Sequence, residues 1–491
     1  MISIKSLFKS SMIYGVGSAF MRAMTFLLLP FYTNELQDGE YGEFVLVMTT
    51  IAFLRICYSH GIGDSFLKTY STANSKQKIT STYLIYILFV IAIISSVFTI
   101  LNSTIQINDS SSLLSLLRNK LIFIMMVVLF DTLNYRIIDI LRIKNYAAYY
   151  MAGQIIGVIT TFSLTIYLVN TFGDNTLIAF LNDEVECALF AVLCGAGATF
   201  CIFSPMLFKN LKINEFSKTH LKTMISLSLR FFPAALFFMF MELIDRYLLK
   251  LLLDAPNTLD LIGAYSVGCK LASVPMLLIS AFNLGWQPFY LNNGNNKKSI
   301  VQYQKVGNMF IVIMLSVSWI VAIIMPLIAK MNIPFLDDYP IIGPNFINGI
   351  EIIPFILISH IFYGLYIINM PSIYLCDKQN WSPILRIFGA LINVILNIIL
   401  IPKYGIYGAA FATAMGYGLM FLLLYYKNRT WMPIQLSWGT ILPLAIIIAT
   451  SIILKSSFIG MFIMIFTFCY ISIIIYKNGL NQIGLLFAKY K

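Results

Sequence analysis

Apolar residues follow one another along this chain in runs of about 20, and short polar turns separate the runs. A run of this length crosses roughly 30 Å of hydrocarbon as an α-helix, because the helix rises about 1.5 Å per residue. Fourteen such runs occur, at residues 11–32, 42–60, 80–101, 120–138, 147–170, 185–208, 224–252, 261–285, 304–328, 350–374, 382–402, 406–426, 437–454 and 457–476. The pattern predicts an all-α integral membrane protein with about 14 transmembrane helices.

Composition supports the same class. Of the 491 residues, 59% are hydrophobic and 11% are charged, which is more apolar than a soluble domain tolerates. The net charge of +12 does not indicate a nucleic-acid partner, because the basic residues are spread through short loops. The seven cysteines show neither CxxC nor Cys/His ligand spacing, so we expect no disulfide framework and no zinc site. The first run lacks a small-residue cleavage site and is predicted to remain as a span.

Basic residues alternate between the two sides of the predicted membrane. In the segments at and between the ends of the spans, 22 Lys and Arg residues fall on one side of the predicted membrane and six fall on the other. The richer side includes Arg136 and Arg386, and the poorer side includes Lys120. Because positive residues gather on the cytoplasmic side of membrane helices, this bias predicts that both termini are cytoplasmic.

A short motif occurs twice. The sequence ELQDGEYGEFVLV follows the first span and LLLDAPNTLDLIGAYSVG follows the seventh, which aligns Gly42 with Gly263 and Phe44 with Tyr265. We interpret this as two six-helix lobes around a central cavity, a pattern typical of transporters. The lobes would be residues 1–222 with spans 1 to 6 and residues 223–426 with spans 7 to 12. Residues 427–491 would form a terminal helix pair and a cytoplasmic tail. Chance similarity between two acidic turns is the alternative.

Three stretches carry a family resemblance. They are YGVGSAFMRAMTFLLLPFYT at residues 14–33, GEYGEF at residues 39–44 and RIFGALINVILNIILIPKYGIYGAAFATAMGYG at residues 386–418. Together with the span pattern they closely resemble the Wzx-type flippases of the polysaccharide-synthesis family. That family belongs to the exporter superfamily (MOP) that also contains the MATE exporters and the lipid II flippase.

The resemblance implies a function and a location. Such a protein would move undecaprenyl-diphosphate-linked oligosaccharide, an O-antigen or capsular repeat unit, from the cytoplasmic to the outer leaflet of the bacterial inner membrane. It would be a transporter and not an enzyme, and it would need no cofactor beyond a coupling H⁺ or Na⁺. Expected partners are the lipid-linked oligosaccharide, membrane lipids, the polysaccharide polymerase and the chain-length regulator.

Several basic residues lie inside the predicted spans, where lipid cannot stabilise them. They are Arg22, Arg55, Arg230, Arg246 and Lys270. A diphosphate matches guanidinium groups with paired hydrogen bonds, whereas a cationic drug would be repelled. The lipid II flippase relatives similarly carry cavity arginines on spans 1, 2 and 8, so Arg22, Arg55 and Lys270 are predicted to bind the substrate. The alternative is that Arg55 and Lys270 pair with acids such as Glu43 or Asp245.

Acidic residues on the seventh span suggest ion coupling. Glu242, Asp245 and Arg246 share one helix face at positions i, i+3 and i+4. The plain interpretation is an ion pair between Glu242 and Arg246 within the helix. The functional interpretation is a site for a proton or a sodium ion.

Polar residues on the eleventh and twelfth spans extend this interpretation. Asn393 and Asn397 lie one turn apart, and Thr413 follows on the next span. Amide and hydroxyl oxygens are ligands for hard cations. The lipid II flippase relatives similarly build a sodium site from an acid on span 7, a polar pair on span 11 and a threonine on span 12. Asn397 lies where those relatives can have an acid. The identity of the coupling ion, H⁺ or Na⁺, therefore remains undecided.

Two other function classes remain. One is a membrane-embedded polysaccharide polymerase, ligase or glycosyltransferase, which would be expected to carry a long external loop or a carboxylate-rich segment. The sequence predicts neither. The other is a MATE-type exporter of small molecules, which the buried basic residues disfavour.

Overall fold

The structure is a computed structural model, and it describes residues 26–36, 39–72, 75–104, 113–144, 146–172, 181–333 and 338–453. Over these residues the regular structure is helical, apart from one isolated β-bridge between Asn332 and Pro340. Nearly every backbone N–H and C=O group of an α-helix is bonded within the helix itself, which suits a chain surrounded by lipid.

The helices begin with α1, whose described part is residues 26–35. They continue with α2 (Glu40–Ser59), α3 (Ile62–Thr72), α4 (Lys76–Thr104), α5 (Leu113–Asn119), α6 (Leu121–Ile143), α7 (Ala147–Asn170), α8 (Glu184–Asn210), α9 (Lys218–Leu252), α10 (Thr258–Leu271), α11 (Val274–Asn293), α12 (Lys297–Ala329), α13 (Ile353–Asn369), α14 (Pro371–Leu375), α15 (Trp381–Tyr404), α16 (Ile406–Trp431) and α17 (Trp438–Ile453). Short 3₁₀ helices lie at Ile213–Glu215 and Pro344–Ile352.

Nine helical segments of the described residues are long and apolar enough to cross a membrane. They are Glu40–Tyr70, Lys76–Ile100, Leu121–Ile143, Ala147–Asn170, Glu184–Asn210, Lys297–Ala329, Pro344–Leu375, Trp381–Tyr404 and Ile406–Trp431. Two further spans are bent. One is α9, which bends by 41° between Lys218–Arg230 and Phe232–Leu252, and the other is formed by α10 and α11 together; counting both gives as many as 11 spans in the described residues. These segments coincide with the second to twelfth predicted spans, so the all-helical membrane class is confirmed.

The remaining predicted spans are described in part or not at all. The first is described only from residue 26, and the fourteenth lies outside the described residues. The thirteenth corresponds to α17. The total of 14 and the cytoplasmic location of both termini stay predictions.

Two breaks within spans have local causes. Between α2 and α3 the backbone is left-handed at His60 (φ 33°) and Gly61 (φ 75°). The His60 ring secures this turn, because Nδ1 lies 3.0 Å from the Tyr58 carbonyl and Nε2 lies 3.0 Å from the Tyr86 hydroxyl. Between α10 and α11 the axis bends by 47°, next to Pro275, which has no N–H to continue the helical ladder.

The chain divides into two compact units. The first unit contains residues up to Gly263 together with Ile342–Phe346, and the second contains Ala264–Ile341 together with the residues from Ile347 onward. The predicted lobes, residues 1–222 and 223–426, were defined from repeated halves of the sequence and not from compactness. Their boundaries remain a prediction.

The acidic turns of the two similar motifs lie against each other within the first unit. The Gly39 amide donates to the Asp260 carboxylate at 2.9 Å. A Cβ on Gly42 would lie 2.6 Å from the Leu259 carbonyl carbon, so only glycine permits this approach of the two backbones. The repeated acidic turns therefore hold the start of α2 against the start of α10.

Helices α7 and α8 pack closely because small residues face each other. A Cβ on Gly195 would lie 2.6 Å from the Gly157 carbonyl oxygen and would overlap the Thr161 hydroxyl. The Thr199 hydroxyl of α8 donates to the Gly153 carbonyl of α7 at 3.3 Å. In lipid, helices associate through such close contacts, because burial of apolar surface against another helix gains little over burial against lipid tails.

In the second unit, a polar cluster joins α13, α14 and α16. Asn428 Nδ2 donates to the side-chain oxygen of Asn369 at 2.9 Å and to its carbonyl at 3.1 Å. The Ser372 hydroxyl donates to Asn428 Oδ1. All three residues are buried, and their mutual hydrogen bonds satisfy the backbone where α13 ends.

We expect Gly195→Ala to destabilise the protein, because its Cβ would force α7 and α8 apart. Gly197→Ala is the matched control on the same helix, since a Cβ there meets no atom within 4 Å. The apparent melting temperature in detergent should fall by several degrees for Gly195→Ala, consistent with a typical cost of about 1–3 kcal/mol for overpacking. Gly197→Ala should melt like the wild type or slightly higher. Equal melting temperatures for the two variants would contradict the packing argument.

Candidate functional site

Arg55 lies in the middle of its span and contacts α6. Its Nη1 lies 3.8 Å from Asp131 Oδ2 and donates to the Tyr135 hydroxyl at 3.3 Å. The guanidinium carbon also lies over the Tyr135 ring, 4.8 Å from its centroid, which is within cation–π range. The Arg55 side chain remains 32% exposed.

The structure thus gives Arg55 an acidic neighbour, as the alternative interpretation expected, but the acid is Asp131. Glu43, which the sequence offered as a partner, lies 3.9 Å from Lys120 instead. A separation of 3.8 Å exceeds the length of a hydrogen bond. Asp131 therefore offsets the charge of Arg55 without a direct hydrogen bond that would fix the guanidinium in place. Whether Arg55 touches substrate stays a prediction.

Of the other two predicted substrate residues, only Lys270 lies within the described residues. Arg22 lies outside the described residues. Lys270 lies in the last turn of α10, immediately before the 47° bend, and its side chain is half-buried. The Ser273 hydroxyl donates to the Lys270 carbonyl at 2.7 Å, which satisfies the backbone at the bend. Lys270 therefore sits at a break between two helices of one span.

The predicted coupling acids lie on α9 in the first unit. Asp245 is fully buried, and Glu242 is half-buried. Arg246 Nη1 donates to the main-chain carbonyl of Glu242 at 2.7 Å, so the guanidinium folds back along its own helix. Beside them, the hydroxyls of Tyr247 and Thr50 are 2.7 Å apart and link α9 to α2.

The predicted polar residues of spans 11 and 12 lie together in the second unit. Asn393 Nδ2 donates to the Thr413 hydroxyl at 3.3 Å, and Thr413 donates to the Ala409 carbonyl at 3.1 Å. Asn393 and Asn397 are fully buried, one turn apart on α15. The structure brings these three residues together. Their association with Glu242 and Asp245, which belong to the other unit, stays a prediction.

A buried cation at the start of α6 was not recognised from the sequence, which placed Lys120 in an ordinary external loop. Its side chain is only 4% exposed and contacts Asp183, with Glu186 at 3.1 Å and Glu43 at 3.9 Å. Burial by itself would lower the pKa of Lys120, but hydrogen bonds and charges from Asp183 and Glu186 raise it above its usual value. Lys120 therefore stays charged and joins α2, α6 and α8.

A second buried cluster surrounds Arg136, which the sequence analysis counted with the cytoplasmic side. The structure places it inside α6, 6% exposed. Its Nη1 donates to the Tyr83 hydroxyl at 2.9 Å and lies 3.3 Å from Asp139, and Tyr83 in turn donates to Asp139 at 2.6 Å. A Cβ on Gly63 would lie 2.8 Å from both charged groups, so glycine lets α3 close over this pair. The spacing Arg136-x-x-Asp139 was the signal available in the sequence.

Arg386 lies within α15 and is half-buried, in agreement with the predicted eleventh span. Within the described ranges, no group of three or more His, Cys, Asp and Glu side chains is arranged to hold a metal ion.

Comparison with known proteins identifies the class first. The chain is similar to the lipid II flippase MurJ in an inward closed conformation, with a TM-score of 0.65 and 17% identity over 95% of this chain and 99% of that chain. It is similar to an inward-facing MATE multidrug transporter of the MOP superfamily, with a TM-score of 0.58 and 15% identity over 83% and 94%. It also resembles a mutant of the MATE transporter VcmN of Vibrio cholerae, with a TM-score of 0.55 and 12% identity over 87% and 96%. The protein is a multi-pass membrane protein with the fold of these exporters.

The family follows from the sequence itself. A family model described as "Polysaccharide biosynthesis protein" matches residues 7–288, more than half of the chain. The chain therefore belongs to the polysaccharide biosynthesis protein family. No curated protein sequence gave a match.

We expect Lys120→Met to destabilise the protein strongly, because it leaves Asp183 and Glu186 together without a cation. Breaking a buried ion pair from one side costs about 3–5 kcal/mol. The exposed Lys403 is the control, and Lys403→Met should melt like the wild type. Because the pKa of Lys120 is raised, its contribution should be complete at neutral pH and be lost only as the pH rises above about 10.4. Equal melting temperatures of both variants at pH 7 would contradict the assignment.

Proposed function

We propose that this chain is a Wzx-type flippase. It moves undecaprenyl-diphosphate-linked oligosaccharide, an O-antigen or capsular repeat unit, from the cytoplasmic to the outer leaflet of the bacterial inner membrane by alternating access. The family and the exporter fold support the general class. The observation that carries the proposal is the partly exposed side chain of Arg55 at mid-span.

A charge in this position needs water or an anion beside it. Arg55 lies 15 residues into its span, roughly 22 Å along the helix axis at about 1.5 Å per residue. A charged group exposed to hydrocarbon there is costly, so its open side is best explained by a hydrated path. A guanidinium on such a path binds a diphosphate through paired, charge-assisted hydrogen bonds. Arg22 and Lys270 are proposed to complete the binding of the diphosphate.

This arrangement favours a flippase over the two rival classes. A MATE-type exporter of cationic molecules would gain nothing from an arginine on the substrate path. A polymerase, ligase or glycosyltransferase needs acid and base groups placed around a reacting bond. The polymerase and the chain-length regulator are instead proposed as partners that receive the flipped saccharide.

Transport is proposed to be coupled to H⁺ or Na⁺ through Glu242 and Asp245, with Asn393, Asn397 and Thr413 contributing oxygen ligands. Buried carboxylates in membrane spans are characteristic of proton and cation pathways. Complete burial of Asp245 and the contact between Asn393 and Thr413 support this proposal.

The flippase proposal predicts that Arg22→Ala and Arg55→Ala abolish surface polysaccharide in a strain of the host that lacks the native gene. Losing a charge-assisted contact costs about 1.5–3 kcal/mol, or roughly ten- to a hundredfold in affinity. Arg22→Lys should be impaired but active, because it keeps charge and loses the planar fork. Arg230→Ala is the control, since Arg230 is exposed. Full complementation by both alanine variants at normal membrane level would refute the role of the arginines.

The coupling proposal predicts that Asp245→Asn or Glu242→Gln abolishes gradient-dependent transport, because a carboxamide does not bind and release the ion as a carboxylate does. The measurement is the appearance of lipid-linked saccharide in the opposite leaflet of proteoliposomes under an imposed H⁺ or Na⁺ gradient. Protein level and melting temperature are controls for folding. Unchanged transport in both single variants and the double variant would remove the coupling hypothesis.

A further inference from the structure

Two polar side chains of α6 face Arg55 at mid-span. Asp131 and Tyr135 are four residues apart and therefore lie on the same face of the helix. The Asp131 side chain is 28% exposed and Tyr135 is 40% exposed, although both lie well inside the span Leu121–Ile143. Neither residue formed part of the substrate site expected from the sequence.

Within the described residues, most of the hydrogen-bonding capacity of the Asp131 and Tyr135 side chains is not used by other protein groups. In the part of the chain that the structure describes, Asp131 has one polar contact, the 3.8 Å approach to Arg55, which is too long for a hydrogen bond. An ionised carboxylate offers about four acceptor positions. The Tyr135 oxygen accepts from Arg55 at 3.3 Å, so its own O–H is available to donate. The pair thus presents several acceptors, one donor and part of an aromatic ring.

Neither lipid nor a bare diphosphate suits this surface. Exposure of a carboxylate to hydrocarbon is costly, so the open side of Asp131 faces water or a ligand. A carboxylate beside Arg55 would also weaken the binding of a diphosphate, because it repels the phosphate charge. The ligand that suits acceptors, a donor and an aromatic ring next to a guanidinium is a sugar joined to a phosphate. Its hydroxyls donate to the carboxylate, and its apolar C–H face packs on the ring.

We propose that Asp131 and Tyr135 form a saccharide subsite that holds the sugar nearest the diphosphate, while Arg55 holds the adjacent phosphate. This inference rests on the proposed function and adds a recognition element for the sugar. The subsite accounts for an acidic residue at a position where phosphate binding alone would exclude one. It also explains why Arg55 lies over the Tyr135 ring, since the same contact orients the ring for the sugar.

The test measures binding of two lipids to the full-length protein in nanodiscs. One lipid is the lipid-linked oligosaccharide extracted from the host, and the other is undecaprenyl diphosphate without sugar. Wild-type protein should bind the sugar-bearing lipid more tightly. Tyr135→Leu should weaken binding of that lipid about tenfold, equivalent to about 1.4 kcal/mol, and should weaken binding of the bare diphosphate by a clearly smaller factor, because Arg55 keeps its charge. Tyr146→Leu, at an exposed tyrosine after α6, is the matched control.

Asp131→Asn gives a second and opposite readout. Removing the carboxylate charge should strengthen binding of undecaprenyl diphosphate, because the repulsion is gone, and should reduce the preference for the sugar-bearing lipid. A purely structural role would change both affinities in the same direction. Tyr135→Phe keeps the ring and loses the hydroxyl, so it should weaken binding of the sugar-bearing lipid less than Tyr135→Leu does. It replaces Tyr135→Leu in the experiment if that variant does not fold.

The possible results separate the two proposals. If the wild type binds both lipids but the preference is unchanged in Tyr135→Leu and Asp131→Asn, the saccharide subsite is overturned and the flippase proposal stands. If the wild type binds neither lipid, the flippase proposal fails, and the subsite fails with it.

Discussion

Hydrocarbon cannot solvate a charged side chain, and this constraint decides how the charged residues of the spans are arranged. Two solutions occur in the first unit. Arg136 is buried and neutralised by Asp139, with Tyr83 hydrogen-bonded to both. Arg55 instead keeps a third of its side chain exposed beside Asp131. The buried charge holds helices together, whereas the Arg55 charge keeps an exposed side.

The two buried charge clusters also fix the position of the helix that faces Arg55. Lys120 joins the starts of α2, α6 and α8, and the Arg136 cluster joins α3, α4 and α6 nearer the other end of α6. Helix α6 is therefore fixed by charge pairs on both sides of Asp131 and Tyr135. This support suits the proposed saccharide subsite, because side chains that contact a ligand must keep their positions when it leaves.

Close backbone approach is the second organising feature. Glycines permit α7 to contact α8 and the start of α2 to contact the Leu259 backbone. Lipid tails are as apolar as the helices, so close contact and polar bonds replace the hydrophobic effect as the source of helix association. The breaks at His60–Gly61 and before Pro275 interrupt spans, and a polar contact lies at each: the Tyr86 hydroxyl is 3.0 Å from His60 Nε2, and the Ser273 hydroxyl donates to the Lys270 carbonyl.

The sequence by itself determined the membrane class and the positions of the second to twelfth spans, because hydrocarbon thickness fixes the length of an apolar run and a run is a local property. The family also followed from the sequence. Only the tertiary structure decided how the charges pair. Lys120 and Arg136 lie at or near the ends of an apolar run and looked like loop residues, yet both are buried. Arg55 contacts Asp131 and not Glu43, because the face that α2 turns toward α6 depends on how several helices pack together. Such pairing joins residues far apart in sequence, so no local pattern encodes it.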